Sequence, residues 1–433
     1  MHHFNLAPIF FTLITTIAAI SPLHAVPITQ ENIDKIPLNA LFSPEASYQQ
    51  GIQALERSNP QQAEQAFQEI LKRNPSSIKA MLGLSEAALL RGDMDACGKW
   101  IENAVQTDPQ SSDAQASLGR YLIVRQTPKD AEKALRRAIE LDSRALRARL
   151  DLADMLLAQG RLQEATQVYQ DVLAIDPTRA GAHYALGITY SRLGDVKKAQ
   201  QQLEKSAQIE PENSLPQIAL ARLYGSQGKL DEGLVAAEKA LELDPQSVEI
   251  LILKGELYLA QQNTELAIAE YQKASDIAPT LALPHLNMGI AAHRANKIEQ
   301  ARAAYKEAIT LAPKEPVAYN NLAALNVENN QHLDEAVNAA KTAVEIAPTI
   351  ATFHDTLGWS ERAQGNITGA LISLEKAELL SPDEPEILYH LGVVYSELGN
   401  ESKARESLQK ALTSKRPFAN VADAEKRLSS LEQ

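Results

Sequence analysis

A single cysteine, Cys97, stands in this chain of 433 residues. That excludes an intrachain disulfide framework and any metal site built on several cysteines. No stretch alternates with the two-residue period of a half-buried strand. There is no nucleophile elbow, no phosphate-cradling glycine loop and no carboxylate pair that stands out from helical charge patterning. An enzyme is therefore not expected, and neither is a cofactor. Basic residues are outnumbered, 42 against 55 acidic ones. The net charge of -13 argues against general binding to nucleic acid.

Charge is missing altogether from residues 1–25, which contain no Asp, Glu, Lys or Arg. An apolar stretch from Phe4 to Ile20 is followed by Ser21, Pro22 and small Ala25. This reads as a secretory signal peptide over 1–25, cleaved before Val26, with export to the bacterial periplasm as the expected location. The alternative is an uncleaved anchor, because the stretch sits at the short end of what spans a bilayer. No later segment is apolar enough to span, so no membrane span is expected in the mature chain. Residues 26–43, with Pro27 and Pro37, read as an extended lead-in.

Proline, by contrast, recurs on a beat. Pro75, Pro109, Pro177, Pro211, Pro245, Pro279 and Pro313 fall on a 34-residue grid. Ser143 fills the one empty slot, where a looser turn is expected. Pro348 comes one residue late, and a bulge near Val327–Leu333 is expected to absorb the extra residue. Such a period means one supersecondary unit copied many times. With each proline set at position 32, eleven copies span 44–418. They start at Pro44, Ile78, Ser112, Leu146, Ala180, Ser214, Val248, Ala282, Pro316, Ala351 and Pro385.

Size confirms the register. Position 8 holds Gly51, Ser85, Gly119, Ala153, Gly187, Ala221, Gly255, Gly289, Ala323, Gly358 and Gly392. Position 20 holds Ala63, Cys97, Ala131, Ala165, Ala199, Gly233, Ala267, Ala301, Ala336, Ala370 and Ala404. Helices whose axes approach to about 8 Å need small side chains where they cross. Glycine inside a helix costs about 1 kcal/mol against alanine, so close packing must offset it. Cys97 is thus expected as a small packing residue. Position 7 is apolar in nine of eleven copies, and position 24 carries larger groups such as Phe67, Tyr169, Tyr271 and Tyr305. Turn signals such as Gly194-Asp195 and Gly365-Asn366 separate two helices in each copy. Residues 419–433 form a final capping helix over Asn420 to Leu431, with Val421, Ala424 and Leu428 as its expected inner face.

The small-8, small-20, large-24, proline-32 pattern resembles the tetratricopeptide repeat. The resemblance implies an all-α, right-handed superhelical α-solenoid of about eleven helix-turn-helix repeats. It also implies a concave groove, lined by positions 2, 5, 6, 9, 12 and 13 of the first helices, that holds a peptide or a partner helix. Groove positions here include Arg120, Arg147, Tyr184, Arg192, Arg222, Asn287, His293, Arg294, Asn320, Asn321, Trp359, Arg362, Tyr389 and His390. Asparagine amides offer donor and acceptor together, which suits the backbone of an extended peptide of any sequence. Aromatic and arginine side chains are frequent interface anchors. From Arg120 to Arg149 nine basic residues oppose four acidic ones, so a site for an acidic peptide, a carboxylate terminus or an anionic glycan is expected there. His183, His285 and His354 all fall at position 4, with no metal-ligand spacing, and read as packing residues.

A narrower likeness lies at the carboxyl end. The run through Asp355-Thr356-Leu357-Gly358-Trp359 and Tyr389-His390-Leu391-Gly392 is similar to the closing repeats of exported bacterial proteins. Some of those accompany exopolysaccharide export and the exosortase (PEP-CTERM) system, although this chain has no lipobox cysteine. Two readings follow: a non-catalytic scaffold that binds protein or peptide partners, and an assembly factor for surface polysaccharide.

Overall fold

The computed structural model describes residues 44–431. The expected leader (1–25) and lead-in (26–43) lie outside the described residues. The chain divides into two units, Met1–Gly160 and Arg161–Gln433. Among the described residues there are 23 α-helices and no strand.

The first unit holds α1 (Pro44–Glu56), α2 (Pro60–Arg73), α3 (Ile78–Leu90), α4 (Met94–Thr107), α5 (Ser112–Val124), α6 (Pro128–Leu141) and α7 (Leu146–Ala158). The second opens with α8 (Leu162–Ile175), α9 (Ala180–Leu193), α10 (Val196–Ile209), α11 (Leu215–Ser226), α12 (Leu230–Leu243), α13 (Val248–Ala260) and α14 (Thr264–Ile277). It continues with α15 (Ala282–Arg294), α16 (Ile298–Leu311), α17 (Pro316–Glu328), α18 (Leu333–Ile346), α19 (Ala351–Ala363) and α20 (Ile367–Leu380). It ends with α21 (Pro385–Glu397), α22 (Glu401–Thr413) and α23 (Val421–Leu431). Within each unit, consecutive helices pack as hairpins, and each hairpin packs on the next. The architecture is an all-α solenoid.

The hairpins close on a size match. Gly119, Gly187, Gly358 and Gly392 at position 8 stand against Leu135, Leu203, Leu374 and Leu408 at position 24. Gly51, Gly255 and Gly289 stand against the rings of Phe67, Tyr271 and Tyr305. Where position 8 is Ala221 or Ala323, position 24 is itself Ala237 or Ala340, and all four are fully buried. Position 20 completes the crossing: a Cβ on Gly358 would lie 2.6 Å from Leu374 Cγ and 3.0 Å from the carbonyl oxygen of Ala370. Cys97 is 4% exposed, and burial pushes its thiol above the usual range, as a packing residue requires.

Two exceptions at position 7 have distinct causes. Gln50 is exposed, because no described helix precedes α1 to cover it. Lys254 is buried at 5% exposure. It pairs with Glu238, and with Glu270 at 3.4 Å. Burial works against its charge, but those two carboxylates outweigh it and hold its pKa above the ordinary value.

The turns are equally regular. Gly194 takes φ of 78°, and the N–H of Asp195 donates to Tyr190 O at 2.9 Å. Asp195 Oδ1 then accepts from Lys198 N at 3.3 Å, so one residue ends α9 and caps α10. Between hairpins, Asp108 N donates to Ala104 O at 3.0 Å, and Asp108 Oδ1 accepts from Gln110 N at 2.9 Å. The looser turn expected at Ser143 is not found. Asp142 makes the same two bonds, to Ala138 O at 3.0 Å and from Arg144 N at 2.8 Å, so the aspartate rather than the proline shapes this turn. The extra residue before α18 is absorbed by a second left-handed residue, His332 (φ 48°), after the one at Asn330 (φ 50°) that takes the place of Gly194 in this turn.

A second seam involves position 4 of several first helices. Gln115 Nε2 donates to Pro109 O at 3.3 Å, and Tyr319 OH donates to Pro313 O at 3.4 Å. His183 Nε2 meets Pro177 O at 3.0 Å, and His354 Nε2 meets Pro348 O at 2.9 Å. These four position-4 side chains tie their helices to the turns before them. His183 and His354 are buried, and His285 is half-buried. At the carboxyl end, α23 buries Ala424 and packs Leu428 and Leu431 against Leu388, Tyr389 and Leu408. Val421, expected on that inner face, is 39% exposed: the buried ridge runs 424, 428, 431 and leaves the first turn outside it.

Gly358→Ala tests the crossing. Helix propensity alone favours alanine by about 1 kcal/mol. Overpacking against Leu374 and an immovable carbonyl costs about 1–3 kcal/mol, so net destabilisation is expected. Urea unfolding reads the sign, and a gain in midpoint would mean the helices have room to part.

Candidate functional site

On the first helix of each hairpin, positions 3, 7, 8, 10 and 11 turn inward. In α3, for example, Ala80, Leu84, Ser85, Ala87 and Ala88 are all buried. Positions 2, 5, 6, 9, 12 and 13 form the remaining stripe, and the candidate site residues lie on it.

In the first unit, Arg120 and Arg147 do not form a cationic patch. Arg120 Nε lies 3.4 Å from Asp151 Oδ2, and Arg147 Nε lies 3.5 Å from Asp151 Oδ1. One carboxylate, 15% exposed, holds both guanidinium groups. Glu86 faces the same group. It touches solvent, yet the protein mass around it pushes its carboxyl above the usual range, while Arg120 and Arg147 pull the other way. The expected acidic-ligand site is therefore a mixed-charge surface. Other arginines of this basic stretch lie on α6 and are engaged there: Arg136 with Glu132 at 2.7 Å, and Arg137 with Glu140 at 3.1 Å.

In the second unit, Tyr184 is half-buried, and burial raises its hydroxyl pKa. Arg192 is exposed on the last turn of α9. Arg222 pairs with Glu249 at 2.9 Å. Nearby Glu256 is raised by burial, against the pull of Arg222. Neighbouring helices α15 and α17 bring Asn287, Asn320 and Asn321 onto one surface. All three are half-buried, their amides make no hydrogen bond among the described residues, and Asn320 Oδ1 is buried without a partner. On α15, Arg294 shares the face of Asn287 two turns away. It is exposed and makes no ion pair among the described residues. His293 beside it engages Glu328 through Nε2 at 2.9 Å.

The carboxyl-terminal aromatics are not free anchors. Tyr389 and His390 are 5% and 6% exposed. His390 stacks on Trp359 at 4.0 Å between centroids and meets Asp355 through Nδ1 at 2.7 Å. Arg362 stands 4.4 Å over the Trp359 ring and forks onto Glu397 at 3.0 and 3.1 Å. Tyr389 OH donates to Asp423 of α23 at 2.8 Å. Burial and that carboxylate push its pKa up to about 12. The capping helix thus covers the stripe at the last hairpin.

Tetratricopeptide repeat models match residues 54–121 and 156–223, then 116–180, 218–282 and 286–349, and finally 358–399 and 385–417. The chain belongs to the tetratricopeptide repeat family. No curated protein matches the sequence. Among solved tetratricopeptide-like structures, the Cut9–Hcn1 hetero-tetramer of the APC/C is 14% identical, with a TM-score of 0.47, over 94% of this chain and 99% of that one. Yeast Tom70 is 14% identical with a TM-score of 0.45 over 90% and 95%. PilW, a type IV pilus biogenesis factor, is 22% identical with a TM-score of 0.43 over 48% and 96%. None of these comparisons supports the likeness to exopolysaccharide or exosortase systems.

The repeat register named the groove side chains but not their counter-ions. Asp151, Glu249, Glu328, Asp355 and Glu397 were missed. Sign pairs at 27 to 35 residues' separation, read across adjacent repeats, carry that signal. Among the described residues no cluster of His, Cys, Asp or Glu could hold a metal ion, and no helix is long and apolar enough to cross a membrane.

The cap is pH-sensitive with a definite sign. The hydrogen bond from Arg427, then that from Tyr389, holds Asp423 below the usual carboxylate range. Its stabilisation is therefore complete above the unfolded value of about 3.9 and is lost as pH falls through the lower folded value. Hydrogen exchange of α23 is expected to speed up over that acid limb. Asp423→Asn is expected to remove the pH dependence, and an unchanged limb would contradict the assignment.

Proposed function

We propose that this chain is a non-catalytic protein-docking scaffold. It takes an extended peptide segment along the first-helix face of the eighth and ninth repeats. The observation behind this is the set of three amides, Asn287, Asn320 and Asn321, that have no hydrogen-bond partner among the described residues. Asn287 and Asn321 are half-buried and keep donor and acceptor capacity that a peptide backbone laid along the face meets, each such hydrogen bond contributing about 0.5–1.5 kcal/mol. Backbone pairing of this kind reads no side chain, so selectivity falls to neighbours such as Arg294. The tetratricopeptide resemblance supports the same reading, since its first-helix groove holds peptides. Panning a displayed library of capped peptides on the full chain, beside Asn287→Ala/Asn321→Ala, tests it. The variant is expected to lose at least about fivefold in affinity, each of the two paired amides contributing about 0.5–1.5 kcal/mol, with an unchanged urea midpoint. Equal capture by both proteins would refute it.

We also propose that residues 1–25 direct export and are removed. The support is their lack of charge and the apolar run that ends before Ala25. The intact mass of the purified protein is expected to correspond to a chain starting at Val26, and a full-length mass would overturn this.

A further inference from the structure

Lys254 breaks a column, and so does its partner. Position 7 is otherwise apolar inside the array, yet it holds the one buried lysine among the described residues. Position 23 carries neutral groups in ten repeats, such as Ala236 and Ala304 on either side, and a carboxylate only at Glu270. The two exceptions occur in one hairpin and meet there, Lys254 Nζ lying 3.4 Å from Glu270 Oε1. Both side chains are buried. The second counter-charge, exposed Glu238, comes from α12 in the repeat before, so the ammonium spans two hairpins. Glu270 Oε1 also holds exposed Lys273 at 3.1 Å, while its Oε2 is buried without a hydrogen-bond partner among the described residues. Tyr258, on α13 itself, is the remaining titratable group that acts on Lys254.

We infer that Lys254, Glu238 and Glu270 form a neighbour-selecting lock: they admit an acid-bearing second helix before α13 and reject other hairpins of the array, whether from this chain or from a second copy. Columns of like size repeat along the array, so apolar packing tells one repeat from another only weakly. Selection then needs a contact that penalises the wrong neighbour. Position 25, where Glu238 stands, is read across the seam elsewhere too. Tyr395 OH donates to Glu375 Oε1 at 2.8 Å, and Tyr190 OH accepts from Gln170 Nε2 at 2.9 Å. A hydroxyl donates and accepts, so it meets an acid or an amide alike. An ammonium only donates, and once buried its charge must be balanced. Of the other second helices, three carry an acid at position 25, as Glu102, Glu204 and Glu375. The remaining seven carry a base, as at Arg136, Lys306 and Lys341, or a neutral amide, as at Gln170 and Gln272. Any of these seven, stacked before α13, sets Lys254 beside a like charge or leaves it without the acid from that side. Arrays of like units are prone to mispairing and to swapping between chains. A buried ion unit answers that hazard without adding stability, because desolvation offsets the attraction between its charges. Truncating one member strands another, whereas replacing the buried pair by apolar groups is tolerated. The lock concerns how the chain assembles itself and is independent of the docking reading.

Variants of the full-length chain test it. Lys254→Leu leaves Glu270 with exposed Lys273 alone and is expected to lower the urea midpoint. Lys254→Leu/Glu270→Ala gives both positions the residue types of the other repeats. Its midpoint is expected to return to the wild-type value or to exceed it. Refolding from urea at rising chain concentration then reads selection. Size-exclusion chromatography with light scattering is expected to show the double variant forming a larger share of swapped oligomer than the wild type. Glu238→Gln gives α12 the amide that α8 and α14 carry at this position. It is expected to lower the midpoint beside Lys254 and to change nothing in the double variant, the coupling that a double-mutant cycle isolates. Matching oligomer profiles for the wild type and the double variant would overturn the inference. So would an equal effect of Glu238→Gln in both backgrounds. A double variant less stable than Lys254→Leu would overturn it as well, by showing that the ion unit serves stability rather than selection.

Discussion

The contact between position 8 of one helix and positions 20 and 24 of its mate governs this structure. A missing or minimal side chain lets two backbones approach until a carbonyl crowds the place of a methyl group, as Ala370 O does 3.0 Å from where a Cβ on Gly358 would stand. That approach lets a leucine or an aromatic ring at position 24 reach across and fill the hairpin. Where the ring shrinks to alanine, as at Ala237 and Ala340, position 8 grows to alanine. Hairpins built this way bury one side and leave another bare, so each must lean on the next, and the array is the consequence.

The same geometry decides what the outer stripe offers. First helices set side by side bring charges of neighbouring repeats within reach of one another. The fold pairs many of them: Arg120 with Asp151, Arg222 with Glu249, Arg362 with Glu397. Exposed pairs of this kind contribute little to stability, about 0–1 kcal/mol each. They do neutralise the stripe locally. The asparagines of repeats eight and nine have no such partners among the described residues. The last hairpin is different again, because α23 lays Asp423 against Tyr389 and takes the place another first helix would have.

Much of this was legible in the residues. The starts of the first helices, the hairpin turns and the buried columns follow from a 34-residue register and a size rule, because both are local requirements repeated eleven times. Ser143 shows where that reading stops. Proline marks the turn in the sequence, but the hydrogen bonds that form it belong to the aspartate before it, and Asp142 supplies them unaided. Val421 shows the same limit, since apolar character could not say which turn of α23 reaches the last hairpin. The aromatic anchors expected at Tyr389 and His390 went inward because a helix after the array covers them, which a repeat-by-repeat reading does not contain.

Sequence alone determined that the chain is helical, how long each helix runs and which side chains lie on the outer stripe. Those depend on neighbours within one repeat, where spacing and size suffice. Tertiary structure decided which of those side chains stay available. A guanidinium on one helix is neutral or active according to the carboxylate that the next helix presents, and an amide is met or left waiting by the same accident of juxtaposition. The repeat pattern sets the positions of such groups, but only the packed solenoid brings them within bonding distance.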